Sequence, residues 1–87
     1  MRYLKKFGAV WCGPCRGLDV VLDQIDFTTT DVEVEKIDID SLQRIQLQSL
    51  GIRGVPTMIL FDEKGTELSR KTGTMSAEAL KEWLEIS

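Results

Sequence analysis

The only two cysteines of the chain, Cys12 and Cys15, lie in the sequence VWCGPCRG at positions 10–17. Two thiols at this spacing can be half of a metal site, a structural disulfide, or a redox couple that opens and closes. A structural zinc site normally has four Cys or His ligands, whereas this chain has two Cys and no His. A disulfide across so short a loop restricts the unfolded chain little. The redox couple is therefore favoured, and a zinc site shared across a dimer and a structural disulfide stay as alternatives.

The expected position of Cys12 indicates how such a couple would work. A strand should lead into WCGPC, and Pro14 suits the first turn of a helix, where its missing N–H is not needed. Unpaired N–H groups and the helix dipole stabilise a thiolate at a helix N-terminus. Cys12 should then attack a substrate disulfide, and Cys15 should attack the mixed disulfide and close the Cys12–Cys15 bond. Gly13 should allow the substrate to approach closely.

Seven elements in the order βαβαββα are expected to position the pair. Period-two and continuous apolar patterns predict strands at 2–10, 32–39, 57–61 and 67–73. Helical spacing of apolar residues predicts helices from Pro14 towards Thr28, at 41–50, and after Ser76. Asp40 or Ser41 should cap the second helix, Gly51 should end it, and Trp83 should lie in the core. The first two strands should be parallel and the last two a hairpin, which gives an α/β fold.

Length and charge exclude several classes of function. With 87 residues the chain should form one domain, 1–87, and its net charge of −3 argues against nucleic acid as the main partner. No apolar run approaches the ~20 residues that span a bilayer, and the N-terminal residues do not read as a cleaved signal peptide. A cytoplasmic protein without a membrane partner is expected. The chain has no nucleotide-binding glycine loop, so direct binding of NADPH is not expected and no cofactor is predicted. No metal is predicted, because the chain offers two Cys and no His as ligands.

WCGPC between a strand and a helix, followed by GVPT at 54–57, resembles thioredoxin. The resemblance continues through VEKIDID, LGIRGVPT, ILFDEKG and TGTMSAEALKEWL. It implies a minimal thioredoxin fold, with a four-stranded mixed sheet and helices on both faces, and a protein-disulfide reductase with Cys12 as the attacking and Cys15 as the resolving cysteine. It also implies that Pro56 is a cis-proline, although sequence alone favours trans. The positions that match the family's flat substrate-binding surface are Trp11, Gly13, Pro14, Ile52, Val55, Pro56 and Gly73.

The sequence departs from the family pattern in two places. A strand already leads into WCGPC at residue 2, so the fold is expected to lack the usual first βα unit, and Lys6 stands six positions before Cys12, where the family usually has a buried aspartate. Our hypothesis is that Lys6 points toward Cys15 and lowers the cysteine pKa by its charge. The alternative is that Lys6 reaches solvent along its stem. Lys36 is a second candidate for such a pKa effect.

The resemblance implies a cytoplasmic, monomeric reductant in electron transport and cell redox homeostasis. Its electrons would come from NADPH through a thioredoxin reductase or a similar donor, and would pass to disulfide-containing proteins such as ribonucleotide reductase. One alternative is a glutaredoxin-like, glutathione-dependent reductase, which the chain length favours and WCGPC does not. Another is a non-enzymatic binding subunit that uses the surface around Trp11, Val55 and Gly73. Both alternatives stay open at this point.

Overall fold

The computed structural model describes residues 1–87 and has the element order βαβαββα that the sequence predicts. The strands are β1 (Arg2–Gly8), β2 (Val32–Asp38), β3 (Thr57–Phe61) and β4 (Glu67–Thr72). The helices are α1 (Gly13–Asp23), α2 (Arg44–Leu50) and α3 (Ala77–Leu84). Single 3-10 turns at Phe27–Thr29 and Ile39–Ser41 precede and follow β2.

The four strands form one mixed sheet in the order β2-β1-β3-β4. β1 pairs in parallel with β2 and antiparallel with β3, and β3 and β4 form an antiparallel hairpin. The α/β class and the mixed four-stranded sheet are thus confirmed. Because β1 is central and ends just before the cysteines, its hydrogen bonds on both sides fix the point from which the cysteine loop leaves the sheet.

The main core lies between one face of the sheet and two helices. Leu4 on β1 and Met58 on β3 face inward here and are fully buried. The inward stripe of α1 supplies Leu18, and that of α3 supplies Leu80 and Leu84, all fully buried. Burying a Leu side chain contributes about 1.5–3 kcal/mol, so this cluster holds α1, and the cysteines at its start, firmly on the sheet.

The remaining helix, α2, lies on the opposite face of the sheet. Ile59 is fully buried there and pairs in register with Arg70 on β4. The Arg70 Nη2 group donates to the carbonyl of Leu50, the last residue of α2, at 2.8 Å. Helices therefore cover both faces of the sheet, as the resemblance implied.

The predicted start of α2 is wrong. Asp38 accepts a hydrogen bond from the Asp40 amide, and Ile39–Ser41 closes a 3-10 turn instead of starting the helix. The helix begins at Arg44, and the Gln46 side chain accepts a hydrogen bond from the Gln43 amide at 2.7 Å. It ends at Gly51 with φ of 69°, the left-handed conformation that glycine adopts without strain, as predicted.

Three other predictions differ in detail from the structure. β1 ends at Gly8 rather than at residue 10, and α1 ends at Asp23, well before Thr28. Trp83 lies at the edge of the core, half-buried, with Nε1 donating to Ser69 Oγ at 3.0 Å. The indole N–H explains this position, because it needs a hydrogen-bond partner that the apolar core does not offer.

Candidate active site

Cys12 and Cys15 form a disulfide at the N-terminus of α1, with their Cα atoms 5.2 Å apart. Cys12 is the N-cap residue, and Pro14 lies in the first turn of the helix. The Cys12 Sγ atom accepts a hydrogen bond from the Cys15 backbone N–H at 3.2 Å. The sulfur of Cys12 therefore occupies the place where an N-cap side chain normally supplies an oxygen.

This position favours negative charge on Cys12. The first turn of α1 contains no acidic residue that would oppose an anion. The backbone amide that meets Cys12 Sγ and the helix dipole both stabilise a thiolate. Cys15 lies one turn further along and is 1% exposed, compared with 6% for Cys12. The two thiols thus have different environments, with Cys12 nearer the surface and nearer the helix terminus.

The loop before β3 packs against the disulfide. Cys12 Sγ lies 4.0 Å from the carbonyl oxygen of Val55, and the Val55–Pro56 peptide bond is cis. The Gly73 amide donates to the Pro56 carbonyl at 2.9 Å, and Thr57 Oγ1 donates to the Gly54 carbonyl at 2.8 Å. These bonds fix the backbone of the loop next to the cysteines.

An exposed rim surrounds the disulfide. Trp11 is 66% exposed, and its Nε1 donates to Asp40 Oδ2 at 3.0 Å, which fixes one edge of the indole. Gly13 and Pro14 are also exposed at the start of α1. An aromatic face held at the surface beside a disulfide can cover the apolar side chains of a bound peptide.

The structure brings most of the predicted surface residues together, with one exception. Val55 packs directly against the cysteines, whereas Ile52 follows α2, is half-buried, and is not among the residues packed against them. Ile39, which the sequence analysis did not select, does pack there. In the register of β1 and β2 the last pair is Gly8 with Asp38, so Ile39 follows directly beside the start of the cysteine loop.

Lys6 is buried beneath the disulfide. It is 4% exposed, and its Nζ lies 2.6 Å from Asp19 Oδ1 on α1. A Cβ built on Gly8 would lie 2.7 Å from Lys6 Nζ and 3.2 Å from Cys15 Cβ, so the ammonium and Cys15 flank the same small space. The alternative that Lys6 extends into solvent is therefore wrong. Its pKa effect on the cysteines stays a prediction.

Lys36 has a different environment. Its Nζ bonds to Asp23 Oδ1 at 2.8 Å, and its side chain is 40% exposed. Lys36 and Lys6 nevertheless line one polar cavity of about 360 Å³ behind the cysteine loop, together with Arg16, Asp19 and Asp38.

Asp19 is the residue of this site that the sequence analysis missed. An aspartate at this position of an amphipathic helix is typical of its solvated face. The available signal was its spacing: Asp19 follows Cys15 by four positions, one helical turn, so the two share a face of the helix.

The comparisons with known proteins agree with this geometry. A family model described as Thioredoxin matches residues 2–86. A thioredoxin from Rhodospirillum rubrum is 37% identical over 82 residues, which cover 93% of this chain and 77% of that protein. A thioredoxin from Chlamydia muridarum is 36% identical over 77 residues, covering 88% and 74% of the two chains. Nothing in these findings favours the glutaredoxin alternative.

Two solved structures have the same fold. A single-residue mutant of a thioredoxin from Halobacterium salinarum NRC-1 superposes with a TM-score of 0.83 at 37% identity, covering 97% of this chain and 72% of that one. Thioredoxin-2, described as a component of the malaria parasite protein secretion machinery, superposes with a TM-score of 0.86 at 22% identity, covering 98% and 82%. The second likeness concerns the fold alone.

Proposed function

The chain belongs to the thioredoxin family and is a disulfide oxidoreductase with an active-site cysteine pair, and we propose that Cys12 is its attacking thiol and Cys15 its resolving thiol. The observation that supports this order is the position of Cys12 at the N-terminus of α1, with Cys15 buried one turn behind it. A stabilised thiolate attacks a substrate disulfide at neutral pH, whereas a buried thiol reacts only with a sulfur that is already bonded beside it, here the Cys12 sulfur of the mixed disulfide.

The proposed reaction has two exchange steps. Cys12 thiolate attacks one sulfur of a substrate disulfide, the substrate S–S bond breaks, and the released half leaves as a thiolate that takes a proton from water. Cys15 then loses its proton and attacks Cys12 Sγ. The mixed disulfide breaks, the second substrate sulfur leaves as a thiolate, and Cys12–Cys15 closes. Two electrons have passed from the protein to the substrate.

The substrate is proposed to bind along the loop before β3. The N–H and the carbonyl of Val55 take no part in a backbone–backbone hydrogen bond, so an extended peptide could pair with both. Pro56 and Gly73 would flank that peptide on one side and Trp11 on the other, with Gly13 and Pro14 beneath it. Ile52 is proposed to contribute only at the periphery, because it lies away from the cysteines.

Membership of the family implies protein substrates that contain disulfides and a reductase that returns the electrons. We propose in addition that this donor is a thioredoxin reductase using NADPH, that the targets include ribonucleotide reductase, and that residues 1–87 act as one monomeric domain in the cytoplasm as part of electron transport and cell redox homeostasis. None of the three helices has the length and the apolar composition that a membrane span requires.

We propose that the chain works as a reductant. The ammonium of Lys6 is paired with the Asp19 carboxylate at 2.6 Å, so the site gains little net positive charge from it. Extra positive charge would stabilise the thiolate form and make the disulfide more oxidising. The Asp19 carboxylate compensates the charge of Lys6, and this supports a reducing cysteine couple. Lys36, which is paired with Asp23 and partly exposed, should modulate the cysteines less than Lys6.

Trapping of the intermediate tests the proposed roles. The Cys15→Ser variant, reduced and mixed with insulin, should accumulate a protein–insulin mixed disulfide through Cys12, whereas Cys12→Ser should form none. Wild type should reduce insulin with electrons from thioredoxin reductase and NADPH, and not from glutathione. A mixed disulfide that forms through Cys15 in Cys12→Ser, and not in Cys15→Ser, would reverse the assignment.

A further inference from the structure

The resolving step raises a problem of proton transfer at Cys15. Cys15 is 1% exposed in the disulfide-bonded structure, so water does not reach its side chain freely, yet its thiol must lose a proton before it can attack Cys12. A proton acceptor therefore has to lie within the protein, near the base of α1.

One ionised pair lies in that place. Lys6 Nζ and Cys15 Cβ both border the point that a Cβ on Gly8 would occupy, at 2.7 and 3.2 Å. The distance between Lys6 Nζ and Cys15 Cβ therefore cannot exceed the sum of 2.7 and 3.2 Å. Asp19 Oδ1 is itself buried and forms no hydrogen bond beyond its 2.6 Å ion contact with Lys6, while the Asp19 side chain as a whole is 33% exposed. The pair thus extends from the buried thiol to the surface.

The other charged groups of this cavity either have partners of their own or lie at its exposed rim. On β2, Lys36 is paired with Asp23, and Asp38 accepts from the Asp40 amide. On α1, Arg16 is exposed at the rim of the cavity. From β3 the neighbour of Lys6 in register is Met58, which is apolar.

We propose that Lys6 and Asp19 together carry the proton between Cys15 and solvent during the resolving step. The Lys6 ammonium passes one proton to the Asp19 carboxylate, and the resulting amine takes the proton of the Cys15 thiol. The net result is a Cys15 thiolate, a Lys6 ammonium and a protonated Asp19, with no change in total charge. Asp19 then releases the proton to water through the 360 Å³ cavity that both side chains line. The transfer runs in reverse when the disulfide is reduced.

This inference rests on the proposed two-step exchange and adds the group that makes its second step possible. A static effect of the Lys6 charge would act on both thiols, because both belong to one small cluster. A proton carrier acts on the second step alone. The two steps must therefore be measured separately.

Limiting dithiobis(nitrobenzoate) mixed with the reduced protein in a stopped-flow instrument separates them. Cys12 attack releases the first coloured thionitrobenzoate ion, and Cys15 attack on the Cys12 mixed disulfide releases the second. Asp19→Asn should slow the second phase at least tenfold at pH 7 and leave the first within twofold, since a positioned acid or base contributes about 10²–10⁴ in rate. The second phase should recover as pH rises, because hydroxide replaces the missing acceptor. Asp19→Glu should restore much of the rate.

Asp23→Asn is the matched control, since it removes a carboxylate of the same helix that pairs with the other lysine of the cavity. Both of its phases should stay within twofold of those of wild type. Lys6→Met/Asp19→Asn leaves no unpaired buried charge and should show the slow second phase in a folded protein. A second phase of wild-type rate and pH profile in this double variant, or equal slowing of both phases, would overturn the relay while the oxidoreductase function stands. Release of only one ion by wild type would overturn both.

Discussion

Gly8 is the position where one added methyl group tests the geometry of the site. In Gly8→Ala the new Cβ would meet Lys6 Nζ at 2.7 Å and Cys15 Cβ at 3.2 Å, both closer than ordinary van der Waals contact. Gly8 does not have a positive φ, so the backbone itself accepts alanine. The net cost of the substitution is therefore the cost of crowding minus the gain in chain entropy that alanine brings at any compatible glycine position.

The expected loss of stability is about 1–3 kcal/mol, the usual range for one carbon inserted into a packed interior. Lys6 is flexible at its far end, but it is buried and bonded to Asp19, so moving its ammonium gives up that ion pair. Cys15 is fixed by the disulfide and by α1. For a domain of this size each kcal/mol lowers Tm by about 4–8 °C.

Urea unfolding followed by tryptophan fluorescence measures the effect, with Gly17→Ala as the control. Gly17 lies in the middle of α1, and a methyl group added there would have no neighbour within 4 Å, so alanine should stabilise the protein by about 0.5–1 kcal/mol. In a Lys6→Met background the ammonium is gone, and Gly8→Ala should cost less than it does alone. An equal cost in both backgrounds, or no cost in either, would refute the placement of Lys6 beside Cys15.

Three further predictions concern stability. Arg2 donates to Asp31 at 2.8 Å and holds the pKa of that carboxyl below its ordinary value. The stabilisation from this pair is therefore complete above about pH 5 and is lost as pH falls through the lowered pKa. In parallel urea titrations Asp31→Asn should unfold more easily than wild type at pH 7 and equally easily at acid pH. Leu80 is fully buried between α3 and the sheet, so Leu80→Ala should cost about 2–5 kcal/mol by urea unfolding. Ser76 Oγ accepts from the Ala79 amide at the start of α3, and Ser76→Ala should cost about 1 kcal/mol in the same assay, whereas a change below about 0.3 kcal/mol would contradict a capping role.

Most of the fold follows from short-range patterns in the sequence. The continuous apolar run at 57–61 and the turn residues after it predict β3 and its hairpin because burial and turn chemistry are local. The start of α2 could not be predicted in this way. Three residues here, Asp38, Asp40 and Ser41, are of types that cap helices well. Asp38 caps a 3-10 turn because β2 ends at that residue, and the position of the strand end is not visible in the local sequence.

The candidate site likewise has features that the sequence predicts and features that it does not. The cysteines and their place at the start of α1 follow from spacing and from Pro14. The role of Lys6 does not, because a lysine can either be buried or extend to water, and its partner decides which. That partner, Asp19, lies on another element and has the composition of a solvated helix face. Its burial against Lys6 depends on how α1 packs on the sheet, which sequence periodicity does not specify.

The reduction potential of the Cys12–Cys15 couple tests the central claim most directly. The purified protein would be equilibrated at pH 7 with dithiothreitol or glutathione buffers of known potential, and the fraction of dithiol counted by alkylation and mass. Because Asp19 compensates the charge of Lys6, half-reduction should fall near the roughly −270 mV known for thioredoxin and below about −230 mV. A midpoint at or above about −180 mV, the range of disulfide isomerases and oxidases, would contradict a reductant.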